Sequence, residues 1–312
     1  MPQCRLSVLD LVPILEQASP KAAIEQAALL AQTAERLGYA RYWIAEHHDM
    51  PAIVSSSPEV LLAHIGARTE RIRIGSGAVL LPYYKPYKVA ETFHMLATLY
   101  PGRIDLGVGR APGGSAHVSM ALADNYLEQV RRLPESLEAL TALLADEFRV
   151  DDSPVSARPV PAVPPELWLL GTNVKSADYA ARFGAGYAFG HFMSDADGKE
   201  IVRMYKDGFR PSRPADEPRV SIAVSVVCAE TDERAQSLAR QGAELIFGVS
   251  SAESGYDAAK ARKSVVGAPE RVRERLLEMR DEYGADEFIV VTTAPDYISR
   301  LRSYELLARA LL

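Results

Sequence analysis

Short, nearly uninterrupted apolar runs alternate with longer stretches in which apolar residues recur every third or fourth position, the two periods expected of buried strands and amphipathic helices. Cys4 to Leu11 predicts a strand. Ser19-Pro20 then supplies an N-cap with proline at the first helical position, and Ala23, Ala27, Leu30, Ala34 and Leu37 follow until Gly38 stops the helix. Arg41 to Ala45 is the next strand, and Ser57-Pro58 opens a helix to about Thr69. Ile72 to Leu81, almost all apolar or small, predicts a third strand, and Val89, Phe93, Leu96 and Tyr100 mark a helix closed by Pro101-Gly102. Arg103 to Val108 is strand four. A long helical stretch is expected from Ser119 to Glu147.

Asp151 to Pro165 holds five prolines and is expected to be an irregular, extended surface connection. The alternation then resumes. Strands are expected at Leu167–Leu170, Tyr187–Phe189, Arg219–Ala229 and Glu287–Thr293, with helices at Val174–Phe183, Asp195–Phe209, Asp232–Phe247, from Pro269, and at the C-terminus. The polar, small-residue stretch 248–264 is expected to be a mobile lid. Eight strands alternating with helices, without a sequence repeat, predict a (β/α)8 barrel occupying 1–312 as one domain. A doubly wound sheet is the rival arrangement, but it usually places a glycine fingerprint after its first strand, and Asp10 to Pro20 contains no glycine.

Composition narrows the function. The chain has 312 residues, 48% hydrophobic and 24% charged, with a net charge of −6, so it can bury a large core and lacks the basic surface a nucleic acid needs. Its two cysteines, Cys4 and Cys228, form neither a disulfide framework nor a paired metal motif, a usage that suits a reducing cytoplasm. No basic-then-apolar leader opens the sequence, and no stretch of about 20 apolar residues predicts a membrane span.

Familiar motifs are missing. Gly107-Val-Gly109-Arg110 has Pro112 where a dinucleotide loop needs its third glycine, Gly198-Lys199 is followed by Glu200, and neither a Gly-x-Ser-x-Gly elbow nor a His-Glu-x-x-His helix occurs. More informative is where unusual polar residues fall. Glu46-His47-His48 follows strand two, Ser76-Gly77 interrupts strand three, Arg110 follows strand four, Thr172-Asn173 follows strand five and His191 follows strand six. In a (β/α)8 barrel these ends open on one face, where active sites lie. Of two adjacent histidines on an extended segment, at most one is expected to face a ligand. No third ligand stands at metal spacing, so no metal is expected. Arg110 either pairs with a carboxylate or faces an anion. Thr172 and Asn173 either cap a helix or present its amide groups to a phosphate. Ser76-Gly77-Ala78 lacks bulk either because a neighbouring side chain fills the space or because a flat ligand approaches the backbone.

Three segments carry a family resemblance: Tyr42-Trp-Ile-Ala-Glu-His-His48, Ile74-Gly-Ser-Gly-Ala-Val-Leu-Leu-Pro82 and Pro101-Gly-Arg-Ile-Asp-Leu-Gly-Val-Gly-Arg-Ala-Pro-Gly113. With Leu167-Trp-Leu-Leu-Gly171 and Gly267-Ala-Pro-Glu270, they make the chain resemble the bacterial luciferase-like monooxygenases, single-chain type, over nearly its whole length. The resemblance implies a (β/α)8 barrel, usually a homodimer, that binds FMN at its C-terminal face. Reduced FMN comes from a separate flavin reductase and is used with O2 to oxygenate a small organic substrate. His47 matches the catalytic histidine, and Gly77-Ala78 matches a pair joined by a non-prolyl cis peptide against the flavin. Arg110 and Ser176 match phosphate-binding positions. Thr172-Asn173 stands in place of a Glu-Ser pair at the same phosphate, and Gly109 replaces a cysteine of the light-emitting luciferases. A deazaflavin-dependent hydride transfer and a non-catalytic flavin-binding protein are the alternative functions.

Overall fold

The computed structural model describes residues 4–211, 216–247, 263–285 and 287–312. Its strands are β1 (Arg5–Asp10), β2 (Arg41–Ile44), β3 (Arg73–Ser76), β4 (Val79–Leu80), β5 (Ile104–Gly109), β6 (Arg149–Val150), β7 (Ser153–Pro154), β8 (Glu166–Gly171), β9 (Gly186–Gly190), β10 (Val220–Cys228), β11 (Val265–Gly267) and β12 (Glu287–Val291). The helices are α1 (Pro20–Leu37), α2 (Pro58–Gly66), α3 (Pro86–Leu99), α4 (Ala116–Leu122), α5 (Tyr126–Arg131), α6 (Leu133–Leu144), α7 (Val174–Arg182), α8 (Gly198–Gly208), α9 (Asp232–Phe247), α10 (Pro269–Tyr283) and α11 (Tyr297–Leu311). Parallel pairing runs β1-β2-β3-β5-β8-β9-β10-β12 and returns to β1, which closes the expected eight-stranded barrel.

Capping residues set the helix ends as the sequence predicts. The Ser19 hydroxyl accepts from the Ala22 amide ahead of Pro20, and Gly38 ends α1 at φ 89°, a left-handed turn open to glycine. The outward residues of the strands pack against the helices in one large core containing Tyr42, Ile44, Phe93, Tyr187, Phe189 and Phe288. The inward residues form a second, smaller cluster of Leu9, Trp43, Ala45, Trp168, Ala188, Ala223, Ile289 and Val291.

The N-terminal end of the barrel is sealed by charge. Arg41 donates to Asp105 (2.8 Å), Glu287 (2.9 Å) and Glu166 (3.2 Å), while Arg73 pairs with Asp105 at 2.6 Å and Arg219 with Glu166 at 2.7 Å. Trp168 lies under the Arg41 and Arg219 guanidiniums, and the Trp43 indole donates to Asp105 at 2.9 Å. Each buried carboxylate is thus met by cations and hydrogen-bond donors, which offsets its loss of water.

Three expectations are corrected. Strand three is two pieces, β3 and β4, with the cis Gly77-Ala78 peptide between them. The stretch expected as one helix from Ser119 to Glu147 is three helices, α4 to α6, since Asn125 caps α5 and Pro134 lies in the first turn of α6. The proline-rich connection is not wholly irregular: Ser153–Pro154 pairs with Arg149–Val150 in a small hairpin, and Ala157 is buried where its carbonyl meets His94 Nδ1 at 2.7 Å. Of the stretch expected as a lid, only Lys263 and Ser264 fall within the described residues.

Candidate active site

Period-two alternation decides what faces the barrel axis. On β2 the inward set is Arg41, Trp43 and Ala45, and continuing it puts His47 at the C-terminal mouth. The matching positions of β3 and β5 are Gly75, Gly77, Gly107 and Gly109, so this side of the interior has almost no side chains. The lower glycines are filled by neighbours: a Cβ on Gly75 would come within 2.6 Å of Asp105, and one on Gly107 would strike the Ser76 carbonyl. Around Gly109 the space is looser. A Cβ there would meet only Ala78 at 3.2 Å and the Leu170 carbonyl at 3.9 Å. At Gly77 a Cβ would meet Leu9 at 2.7 Å and Trp43 at 3.2 Å, so there a neighbouring side chain fills the space, and open backbone is found at Gly109.

The adjacent histidines separate as their alternation requires. His48 turns away to pair with Glu46, its Nε2 lying 2.8 Å from Oε1. Glu46 is buried and also accepts from the Tyr84 hydroxyl (2.6 Å) and the Leu80 amide (2.9 Å). It thereby ties the end of β2 to β4, just past the cis peptide. The backbone amide of His47 donates to Ser55 (3.0 Å). Burial pushes the His47 imidazole below its ordinary pKa; a backbone hydrogen bond at Gly113 opposes this and the nearby His48 adds to it. Burial thus favours the neutral imidazole of His47 over the charged one.

Arg110 has no carboxylate partner among the described residues. Its side-chain hydrogen bond is a long one, from Nη2 to Asn173 Oδ1 at 3.4 Å. The two residues meet because β5 and β8 are neighbouring strands. Asn173 also caps α7, its side chain accepting from the Ser176 amide at 3.2 Å, and the Ser176 hydroxyl completes a capping box with the Asn173 backbone. The Val174 and Lys175 amides that follow have no acceptor within the helix. A half-buried guanidinium beside them forms a site of positive potential that suits an anion. Thr172 precedes this cap, and its carbonyl accepts from Ser194 at 2.8 Å. The structure thus brings Arg110 to Asn173, with Thr172 and Ser176 in the same cap, where the buried Ser176 hydroxyl donates to the Asn173 carbonyl and lies 3.1 Å from the Tyr187 hydroxyl; Gly77-Ala78 lies between β3 and β4, which both pair with β5.

His191 is not part of this cluster. It follows the outward parity of Phe189, and its Nδ1 lies 2.9 Å from the Tyr283 hydroxyl. Three residues of the site's surroundings escape sequence reasoning. Glu46 was visible only as a polar neighbour of His47, and Tyr83 and Tyr126 give no pattern at all. Both tyrosines fasten the loop after β5: Tyr83 donates to the Pro112 carbonyl (2.7 Å) and Tyr126 to the Arg110 carbonyl (2.6 Å), with their rings stacked at 5.1 Å.

A closed barrel of eight parallel strands with flanking helices, its polar residues gathered at the C-terminal strand ends, is the architecture of the luciferase-like class. The luciferase-like monooxygenase family model matches residues 5–309, and the chain belongs to that family. It is 42% identical to protein YwcH of Bacillus subtilis (strain 168), with 98% of each chain covered. It is 36% identical to the N-acetyl-S-alkylcysteine monooxygenase of the same organism, covering 99% of this chain and 98% of the relative. Among solved structures, apo-MsnO8 superposes with a TM-score of 0.88 at 38% identity, covering 99% of this chain and 98% of that one. The chain is a monooxygenase-family enzyme, and among its described residues no helix is long and apolar enough to cross a membrane.

Proposed function

We propose that the protein is the oxygenase of a two-component system, binding reduced FMN from a separate flavin reductase and oxygenating a small organic substrate with O2. The observation that carries this reading is the open space at Gly109, bordered by Ala78 and one residue before Arg110, which meets Asn173. A flat ring fits against strands without side chains, and a phosphate fits the guanidinium and free helix amides, so the residues present suit this group. Bound reduced FMN would supply the electrons for oxygen chemistry. The protein's part is to orient that ring on Gly77-Ala78, anchor its phosphate at Arg110, Thr172, Asn173 and Ser176, and exclude water from the mouth. His47, whose burial favours the neutral imidazole, would accept a proton at an imidazole nitrogen and return it.

A homodimer belongs to the same proposal, since the neighbouring helices α2 and α3 expose Val60, Met95 and Leu99. Light scattering of the purified protein tests it. For the function itself, the protein is titrated with FMN and with a deazaflavin, each oxidised and reduced, and then assayed with O2 and thioethers, the compounds suggested by the N-acetyl-S-alkylcysteine relative. Tight binding of reduced FMN with oxygenated product supports the proposal. Preference for the deazaflavin with hydride transfer replaces it, and FMN binding without turnover of any substrate points to a flavin-binding protein. Rapid, saturable NADH consumption without a reductase overturns the two-component reading.

A further inference from the structure

We propose that Tyr126 is a positioning residue for the anion site: its hydroxyl fixes the backbone of Arg110 so that the guanidinium is held ready for a phosphate. This rests on the reading of Arg110 given above and extends it to a residue outside the barrel. Tyr126 is the first residue of α5, in the helical excursion between β5 and the proline-rich connection. Its hydroxyl donates to the Arg110 carbonyl at 2.6 Å. No residue of α5 is fully buried, so this short helix contributes little to the core.

Its placement follows from the broken helix. Asn125 accepts from the Glu128 amide and starts α5 anew, which turns Tyr126 back over the loop instead of continuing the direction of α4. The ring stacks on Tyr83, whose hydroxyl donates to Pro112 and lies 2.9 Å from Ser119 of α4. On the far side of the loop the Gly113 carbonyl accepts from the His48 amide at 2.8 Å. Three carbonyls of the segment Arg110 to Gly113 are therefore held from outside. Burial, with Tyr83 adding to it and Arg110 opposing, pushes the Tyr126 phenol up to about 12, so it remains a donor throughout the neutral range.

The need for such a clamp is physical. Arg110 follows Gly109, has no ion pair among the described residues, and is steadied only by a 3.4 Å contact with Asn173. A long, unpaired side chain on an unfixed loop loses much of its rotational freedom when it binds an anion, and a preset backbone reduces that loss.

The test is an anaerobic titration with reduced FMN and reduced riboflavin, which lacks the phosphate, on the full chain and on Tyr126→Phe, Arg110→Ala and the double variant. Phenylalanine keeps the ring stack and removes one hydrogen bond. Tyr126→Phe should weaken FMN binding by about tenfold, the upper range for one such bond, and leave riboflavin within about twofold. In the Arg110→Ala background it should cost FMN nothing further, because there is no guanidinium left to position. Equal losses for both flavins, or additive losses in the double variant, would show a merely structural tyrosine and overturn the inference. If Arg110→Ala itself leaves the preference for FMN over riboflavin intact, the phosphate reading falls and this inference falls with it. If only Tyr126→Phe leaves it intact, the inference fails alone.

Discussion

Arg110→Ala separates a ligand-binding arginine from a structural one, because the contacts of this side chain are so few. Among the described residues it gives one long hydrogen bond to a neutral acceptor and no salt bridge, so truncation should cost under about 1 kcal/mol of stability. For a chain of this size that shifts Tm by at most about 3 °C. Against a phosphate dianion the same group makes a charge-assisted hydrogen bond worth roughly 1.5–3 kcal/mol, or about 10- to 150-fold in Kd. The helix amides of Val174 and Lys175 remain in the variant, so binding should weaken without vanishing. Fluorescence or calorimetric titration with reduced FMN, with riboflavin as the control, measures the effect, and thermal denaturation checks the fold. Two results would refute the reasoning: an FMN affinity unchanged by the substitution, or equal losses for FMN and riboflavin. A large drop in Tm without a change in FMN preference would make Arg110 a structural residue.

The other predictions concern the groups around it. His47→Ala should leave flavin affinity within a few-fold and slow turnover by about 100-fold or more, the range for loss of a general acid or base, measured as rate per folded molecule. Glu59, at the start of α2, has its pKa raised by burial, with the Glu46 carboxylate adding to it. Its folded-state pKa lies above the ordinary 4.5, so its contribution to stability is present below that value and is lost as pH rises through the folded value. Glu59→Gln should therefore gain on the parent from about pH 4 to pH 7 in denaturant unfolding, and a constant difference across that window would contradict the assignment. Arg41→Met should cost about 3–5 kcal/mol, because Asp105 and Glu287 remain buried with one cation removed; an unchanged denaturation midpoint would show that Arg73 and Ser7 suffice for them.

Much of this protein could be read from the chain itself. Strand and helix periods, the Ser19-Pro20 and Gly38 boundaries, and polar residues recurring at strand ends predicted a (β/α)8 barrel with Glu46-His47-His48, Ser76-Gly77, Arg110, Thr172-Asn173 and His191 at one mouth, because those features are local and the fold's symmetry gathers them; His191 instead turns to Tyr283. The long helix after β5 was misjudged because its apolar period continues across 119–147, whereas the ends of its pieces depend on Asn125 capping and on Tyr126 and Tyr83 finding carbonyls in another segment. Residue pattern alone allowed only one of His47 and His48 to face a ligand, and the family resemblance chose His47; whether Arg110 has a counter-ion and whether the glycines of strands three and four are packed or open stayed undecided. Those answers required tertiary structure. Each depends on distances between side chains dozens of residues apart: Glu46 capturing His48, Asp105 and Ser76 filling the space over Gly75 and Gly107, and Asn173 meeting Arg110 across neighbouring strands. Periodicity determines the face a residue occupies, but only the closed barrel determines what stands opposite it.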